Sequence, residues 1–395
     1  MLTNCILFFY FLSLVLVYGI ANTNLQYLCF FLMLFCFIFS ILKSGFKIKF
    51  KFNNVIDYLP GMMFLVWFYG VIIGLLNGVD TNVVFRNFAG MVLYLTYYIL
   101  KHFKVKVDSL INILFIAAII NSLYAISGLF TGLQVTRDST DFVDLRFYYS
   151  TGVFVIFPGI AIVFSFIVSK RDEILQKYKL YGKRFKLISL FIFIFAILLT
   201  MSKGFFAGLF YQILALLFVI MTIALRKLKI KKGAFLLFIS TTAVLMFITF
   251  SIFDIIVYNF SDEQSGNTIR NEQKDELVKD FTVLGHGLGA SLSSGYSRDT
   301  LGYGFELSYF NVIHKVGVVS LIVFLVFIYT KLKVIKWLLE GKNIQLGIII
   351  FGCMVYLIPS YGNPMLFSPS SVMLQVAAFY LMFEGVSFER KCINV

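Results

Sequence analysis

Charged residues are scarce in this chain. Asp, Glu, Lys and Arg make up 14% of the 395 residues, whereas hydrophobic residues make up 60%, and the mean hydropathy is +0.90. A soluble protein of this length needs far more polar surface than this composition supplies. The sequence therefore excludes an ordinary soluble domain and indicates a membrane protein.

Cysteines are also few, and sequence signals for cofactors are missing. None of the five cysteines has the spacing of a metal site, and they suggest no disulfide framework. No glycine-rich phosphate loop follows a strand, which excludes a nucleotide-hydrolysing domain. We expect no metal and no cofactor. Any chemistry on the far side of the membrane then requires a substrate energised by its own lipid carrier.

About twelve apolar stretches fill most of the chain. Each is long enough to cross a hydrocarbon core of ~30 Å as a helix, and such continuous runs differ from the alternating strands of a barrel. Because only helices and closed barrels satisfy their backbone in lipid, the sequence predicts an all-α, polytopic membrane helix bundle. The predicted spans are 5–20, 25–42, 58–76, 84–100, 109–131, 152–168, 187–200, 205–225, 234–257, 309–330, 344–358 and 370–384.

Positive charge is unequally divided between the two sides of this bundle. One alternating set of loops holds 25 of the 34 Lys and Arg residues, and the other holds nine. Because Lys- and Arg-rich loops stay in the cytosol, the first set and both termini are predicted to be cytoplasmic. The net charge of +14 then faces the cytosol and anionic lipid rather than nucleic acid. No Lys or Arg precedes the first apolar run, which favours a first span over a cleaved leader.

The longest polar segment, residues 258–308, is predicted to be an extracytoplasmic loop between the ninth and tenth spans of a single membrane domain. Within it, Ser265, Asn267 or Thr268 is expected to cap a short amphipathic helix. Its apolar stripe at i, i+4 spacing comprises Ile269, Gln273, Leu277 and Phe281. We expect this helix to lie on the membrane or to cover a cavity.

Nine cations fall on the predicted outer side or at membrane level. They are Arg86, Arg137, Arg146, Lys203, Arg270, Lys274, Lys279, Arg298 and Lys315. Lys203 lies in a tight turn, where it either snorkels to water or faces an anion at the mouth of a cavity, beside the N–H groups of a new helix. Arg86 and Arg146 are either interface anchors or substrate-binding cations. Arg270 is the strongest candidate for a cation that faces substrate.

Two residues that follow Arg270 in the chain, His286 and Glu306, are candidates for proton transfer. His286 lies in the glycine run GHGLG (285–289), whose glycines indicate tight turns or close backbone approach rather than a nucleotide fingerprint. It is either a structural or surface histidine or a general base. Glu306 lies where the tenth span begins. A carboxylate there is costly unless it is functional or paired with a cation, so catalysis and an ion pair both remain open.

The chain resembles the O-antigen polymerase and ligase superfamily, and in particular its Wzy-type polymerases. The resemblance covers roughly residues 146–330. It rests on the Ser-Lys-Gly turn at 202–204, on Leu-Gly-His-Gly-Leu-Gly at 284–289, and on the pattern formed by Glu306, Tyr309, Lys315 and Gly317. Ligases of this superfamily tend to have a histidine where this chain has Glu306, and this difference favours a polymerase.

The resemblance implies a protein of the bacterial plasma (inner) membrane that acts on undecaprenyl-diphosphate-linked oligosaccharide. Such polymerases extend an O-antigen or capsule glycan on the outer side, without nucleotide or obligatory metal. The resemblance also implies a chain-length regulator as a partner. It assigns Lys203 and Arg270 to the diphosphate. Arg146 and Arg86 are further candidates for diphosphate binding because of their position on the outer side, and proton chemistry makes Glu306 or His286 the candidate base.

Two other functions remain open from the sequence. A ligase would hand finished glycan to a different acceptor with the same fold. A lipid-linked oligosaccharide flippase or another transporter also fits twelve spans, although transporters usually show paired repeats and broken helices at mid-membrane. The strain phenotype separates them, because a polymerase mutant still attaches single repeat units whereas a ligase mutant attaches none.

Overall fold

The computed structural model describes residues 2–17, 24–48, 52, 54–131, 151–168, 183–200, 202–227, 265–296, 305–363 and 365–393. Their regular structure is helical. In chain order the α-helices are α1 Leu2–Val15, α2 Asn24–Lys43, α3 Leu59–Leu76, α4 Thr81–Phe88, α5 Thr96–His102, α6 Val107–Thr131, α7 Val153–Val168, α8 Lys183–Leu198, α9 Lys203–Lys227, α10 Ser265–Lys279, α11 Ser308–Val316, α12 Ser320–Glu340, α13 Ile344–Cys353 and α14 Pro369–Ile393.

Eight helical segments of this part of the chain are long and apolar enough to cross a membrane. They are Asn24–Lys43, Val55–Leu76, Thr81–His102, Val107–Phe130, Lys203–Ile223, Ser308–Glu340, Ile344–Gly362 and Pro369–Ser387. Two shorter apolar helices cover Leu2–Val15 and Val153–Phe166. The prediction of an all-α, multi-pass membrane protein is confirmed. The predicted ninth span, 234–257, lies outside the described residues.

The centre of the bundle is formed by α7, α13 and α14, whose side chains are buried along most of their lengths. Small residues bring these helices close together. The α-carbon of Gly159 on α7 lies beside Ala118 of α6, and that of Gly352 on α13 lies beside Ala161 of α7. Close backbone approach at glycine and alanine increases van der Waals contact, which holds helices together in lipid.

Interior polar groups join helices that are far apart in sequence. The Tyr10 hydroxyl of α1 donates to the Met373 carbonyl of α14 at 2.8 Å. The Gln26 amide of α2 donates to Ser370 Oγ of α14 at 3.2 Å. Because no lipid group replaces these bonds, they specify how α1 and α2 pack against α14.

Several spans are interrupted helices. A 3₁₀ segment, Ala89–Leu95, separates α4 from α5. A second one, Gly317–Val319, separates α11 from α12, and Gly317 has a φ of +57°. Irregular backbone is tolerated at membrane depth where protein covers it, and Gly317 is buried. The break after α11 lets the chain approach the loop that carries His286.

Lys101, which follows the predicted fourth span directly, forms a buried ion pair with Asp57. Its Nζ lies 2.5 Å from Asp57 Oδ1, and the two side chains are 7% and 0% exposed. The Tyr97 hydroxyl donates to the same oxygen at 2.8 Å, and the Asn54 N–H donates to Asp57 Oδ2 at 3.0 Å. These partners compensate the free-energy cost of desolvating both charges. A hydropathy profile does not detect such pairing, because it treats each residue separately.

Candidate functional site

Arg270 and Glu306 form an ion pair. Arg270 lies in the first half of α10, and Glu306 lies two residues before α11 begins. Arg270 Nε is 3.3 Å from Glu306 Oε2, and the side chains are 32% and 30% exposed. Of the two alternatives for Glu306, the structure contains the ion pair. A guanidinium and a carboxylate therefore lie together in side chains that are partly exposed, although the paired Nε and Oε2 atoms are themselves buried.

Gln273 holds the Glu306 backbone in place. It lies one helical turn after Arg270 on α10, and its side chain is buried. Its Oε1 accepts from the N–H of Glu306 at 2.9 Å and from that of Leu307 at 3.2 Å. The predicted stripe is confirmed at Gln273 and Leu277, which are buried, whereas Phe281 lies beyond the helix and is 45% exposed. Beneath α10 lies a small apolar cluster of Leu277, Leu292, Phe305 and Leu307.

The turn at Pro359–Gly362 and the following Asn363 connect this pair with the start of α9. A Cβ placed on Gly362 would lie 3.4 Å from Arg270 Nε, and one placed on Gly204 would lie 2.9 Å from Asn363 Nδ2. The Ser308 hydroxyl donates to the Asn363 carbonyl at 2.6 Å. Gly204, next to Lys203, thus lies beside Asn363, and Arg270 lies beside the adjacent Gly362. The Pro359–Asn363 segment therefore contacts both the start of α9 and the ion pair.

The other predicted cations are placed differently. Lys203 is the exposed first residue of α9. Arg86 is exposed near the end of α4, and no ion pair joins it to another described residue. Arg146 lies outside the described residues, as do Arg137 and Arg298. The structure therefore brings together Arg270, Glu306 and the Lys203 turn, but it does not join Arg86 to them.

The glycine run packs between two helices. This agrees with the sequence-based expectation that its glycines permit close backbone approach. Gly285, Gly287 and Gly289 have φ values between +78° and +86°. The N–H of Gly287 donates to the Lys315 carbonyl at 2.8 Å, and that of Leu288 donates to the Gly70 carbonyl at 2.9 Å. Since Lys315 lies on α11 and Gly70 on α3, the loop joins these helices through its backbone.

His286 belongs to a separate cluster with Asp280 and His314. The two imidazole rings stack with centroids 4.5 Å apart. His314 Nε2 lies 3.0 Å from Asp280 Oδ2, and His286 Nε2 lies 3.7 Å from the same oxygen. His286 Nε2 also lies 2.6 Å from the Asp280 carbonyl oxygen. Nitrogen and oxygen atoms of these three side chains lie within 4.8 Å of one another, so the cluster has the composition of a metal site.

Asp280 is stabilised as a carboxylate at this position. Partial burial raises its pKa, but hydrogen bonds from the Ser293 side chain and backbone and from His314 lower it, and the net pKa is below the ordinary value. The Ser293 N–H donates to Oδ2 at 3.1 Å. The carboxyl group therefore carries negative charge at neutral pH.

The two groups of side chains lie at opposite ends of α10. Asp280 follows Arg270 by ten residues, which is ~15 Å along a helix. His286 contacts Asp280 and His314, so it belongs to the group at the C-terminal end of α10 rather than to the Arg270–Glu306 pair.

Asp280 and His314 were missed by the sequence interpretation, as were Gln273 as a positioning residue and Asn363. The available signal was the scarcity of histidine. The chain contains three, His102, His286 and His314, and two of them flank the loop–α11 segment that the structure brings together. Comparison of the chain with protein-family models and with curated proteins gives no match.

Proposed function

We propose that this protein is a lipid-linked-sugar glycosyltransferase that polymerises undecaprenyl-diphosphate-linked oligosaccharide units into a surface polysaccharide, an O-antigen or a capsule. The observation that carries the proposal is the partly exposed Arg270–Glu306 ion pair beside the Pro359–Asn363 turn and the start of α9. The proposal also rests on the motif resemblance at Ser202–Gly204 and at Glu306–Gly317.

The position of the pair relative to the basic loops supports an extracytoplasmic site. Glu306 precedes α11 at one end of the Ser308–Glu340 span, and Lys331, Lys333 and Lys336 lie toward the other end. Since Lys-rich ends stay in the cytosol, Glu306 and Arg270 face the outer side of the bacterial plasma membrane. Polyprenyl-linked glycan is an energised donor there without nucleotide.

The ion pair suggests how binding prepares the reaction. A partly exposed pair of this kind contributes about 0–1 kcal/mol, so Arg270 exchanges its carboxylate partner readily. A diphosphate offers the guanidinium more charge and more acceptor oxygens. When Arg270 turns to the diphosphate, the Glu306 carboxylate gives up this contact and can accept a proton from the acceptor sugar.

The bond changes follow from these roles. The acceptor sugar hydroxyl attacks the anomeric carbon of the donor, and its proton passes to Glu306. The bond between that carbon and the diphosphate oxygen breaks, and the electron pair leaves on the diphosphate. Arg270 and Lys203 stabilise this charge at the membrane surface. Attack opposite the leaving group inverts the anomeric centre.

The test is the length distribution of surface polysaccharide in cells that carry single substitutions. Arg270→Ala and Glu306→Gln are expected to leave short or single repeat units in place of long chains. Lys203→Ala is expected to shorten the chains, and Lys203→Arg to restore them partly. The matched control is Lys274→Ala, which removes an exposed cation from the same helix and should leave the ladder unchanged.

Protein abundance in the membrane must be equal in all variants for the comparison to hold. Long chains from both Arg270→Ala and Glu306→Gln would contradict the proposal. Complete absence of attached repeat units in a deletion strain would indicate a ligase. Failure of repeat units to reach the outer surface in that strain would indicate a flippase.

A further inference from the structure

Asp280, His286 and His314 form the one group of three or more His, Cys, Asp or Glu residues among those described that could share a metal ion. We propose that this cluster binds a divalent transition-metal ion of the zinc type. The ligands are His286 Nε2, His314 Nε2 and Oδ2 of Asp280. This proposal does not depend on the glycosyl-transfer function.

The distances fit such an ion. Zinc bonds of ~2.0–2.2 Å to imidazole nitrogen and carboxylate oxygen in a tetrahedral site place ligand atoms ~3.4 Å apart. The observed distances from Asp280 Oδ2 are 3.0 Å to His314 Nε2 and 3.7 Å to His286 Nε2. Both distances are within ~0.4 Å of this tetrahedral value, and the ligand atoms of the three residues all lie within 4.8 Å of one another. Because the two imidazole rings are stacked, one ring rotates on binding so that both nitrogens face the ion.

The ligand chemistry selects the metal. Two imidazoles and one carboxylate are the protein ligands of several zinc sites that keep one position open, and imidazole favours zinc, copper, iron or nickel over magnesium or calcium. Asp280 supplies a carboxylate, whose Oδ2 already faces the Ser293 N–H at 3.1 Å and His314 Nε2 at 3.0 Å. The side chains of His286 and Asp280 are 21% and 14% exposed, whereas His314 is at 0%, so an ion enters from the loop side.

The backbone holds the two histidines in register before any ion binds. The N–H of His286 donates to the His314 carbonyl at 2.9 Å, and the Gly287 N–H donates to the Lys315 carbonyl at 2.8 Å. Asp280 follows α10 directly. A bound ion thus joins the end of α10, the glycine loop and α11, and it stabilises the polar segment that leads to Glu306.

The experiment measures metal content and binding in purified full-length protein in detergent, prepared with an affinity tag that lacks histidine. Wild-type protein is expected to bind about one Zn²⁺ per chain, with a rise in thermal unfolding temperature. Co²⁺ should give the visible absorption of a four-coordinate nitrogen and oxygen site. His286→Gln should weaken zinc binding at least ~100-fold, since even changes outside the ligand shell cost 10–100-fold.

Three further variants make the test decisive. His102→Gln removes the third histidine, which contacts Ser40 Oγ at 3.1 Å elsewhere in the bundle, and it should bind zinc like wild type. His286→Asp keeps a ligand atom and should retain part of the affinity. Asp280→Asn should weaken binding as His286→Gln does, and gel filtration confirms that each variant is folded.

The proposal is overturned if folded wild-type protein binds no Zn²⁺, or if His286→Gln and Asp280→Asn bind it with unchanged affinity. An intense thiolate band with Co²⁺ would also overturn it, because the ion would then be held by cysteines.

Discussion

At Gly287 the glycine loop touches helix α3 so closely that a methyl group has no room. A Cβ at this position would overlap the backbone of Gly74. The φ of +86° is also unfavourable for any other L-residue. The steric overlap and the positive φ both require glycine at this position. Backbone packing, rather than contact with a ligand, therefore explains why residue 287 is glycine.

We predict that Gly287→Ala destabilises the folded protein by at least ~2 kcal/mol, because left-handed backbone strain and overpacking add. Thermal unfolding in detergent measures the change. Gly347→Ala is the matched control, since a Cβ there would lie 3.4 Å from Leu338, and it should unfold near the wild-type temperature. Equal unfolding temperatures for the two variants would contradict the prediction.

Single residues also mark how far the sequence could be interpreted. The sequence selected Arg270 because it lies at the start of the predicted amphipathic helix, and Glu306 because it lies where the tenth span begins. An ion pair was one of the expectations for Glu306. It did not identify Asp280 with His314, because the two are 34 residues apart and meet only when the loop folds against α11. Local spacing does not encode that contact.

At the scale of helices, α10 acts as a support for the Glu306 segment. Gln273 accepts two backbone hydrogen bonds from the chain that enters α11, and Leu277 packs in the cluster beneath. The amphipathic pattern predicted this helix and most of its buried face. It did not predict that the chain at Glu306 and Leu307 packs on this face. An amphipathic stripe shows which face of a helix is buried, but not which segment buries it.

We predict that Gln273→Leu loosens the chain that enters α11 at Glu306 and Leu307 without unfolding the bundle. The part-buried N–H of Glu306 and the buried N–H of Leu307 lose their acceptor, at a cost of about 1–3 kcal/mol for a buried group. Limited proteolysis should cleave this segment faster than in wild type. Glu272→Ala, at the exposed neighbouring position, should leave the cleavage rate unchanged, and unchanged cleavage in Gln273→Leu would refute the supporting role.

The Asp57–Lys101 pair connects the start of α3 with α5 and gives a second prediction for helix packing. Lys101→Met should destabilise the protein by about 3–5 kcal/mol, because it leaves a buried carboxylate without its cation. The double variant Lys101→Met with Asp57→Asn should be less destabilised than Lys101→Met alone.

Denaturant titration of the purified variants measures both free energies of unfolding. Lys106→Met, at an exposed position, is the control and should change stability little. If the double variant is as unstable as Lys101→Met, the buried charge is not the cause.

For the whole molecule, hydropathy predicted the helical membrane architecture well. The composition and the long apolar runs require it, since lipid leaves few other structures for the backbone. The interruptions within spans were not predicted. Gly317 and the 3₁₀ segment Ala89–Leu95 occur where neighbouring helices cover the backbone, and such cover is a property of the assembled bundle.

Orientation in the membrane is predicted for the whole molecule from the distribution of Lys and Arg. In a cysteine-free background, Lys274→Cys should react with a membrane-impermeant thiol reagent added to intact cells. Lys336→Cys, also at an exposed position, should react only after the cells are opened. The reverse pattern would place the Arg270–Glu306 pair in the cytosol and would contradict the proposed reaction.

The hydrogen bonds from Tyr10 and Gln26 to α14 have a consequence for biogenesis. Their partners lie 363 and 344 residues further along the chain, so the ribosome must reach α14 before either bond can form. During that time the Gln26 amide can donate to the Ser13 carbonyl, whereas the insertion machinery or a chaperone must shield the Tyr10 hydroxyl from lipid. Nascent chains that stop before α14 are therefore expected to be substrates for membrane quality-control proteases.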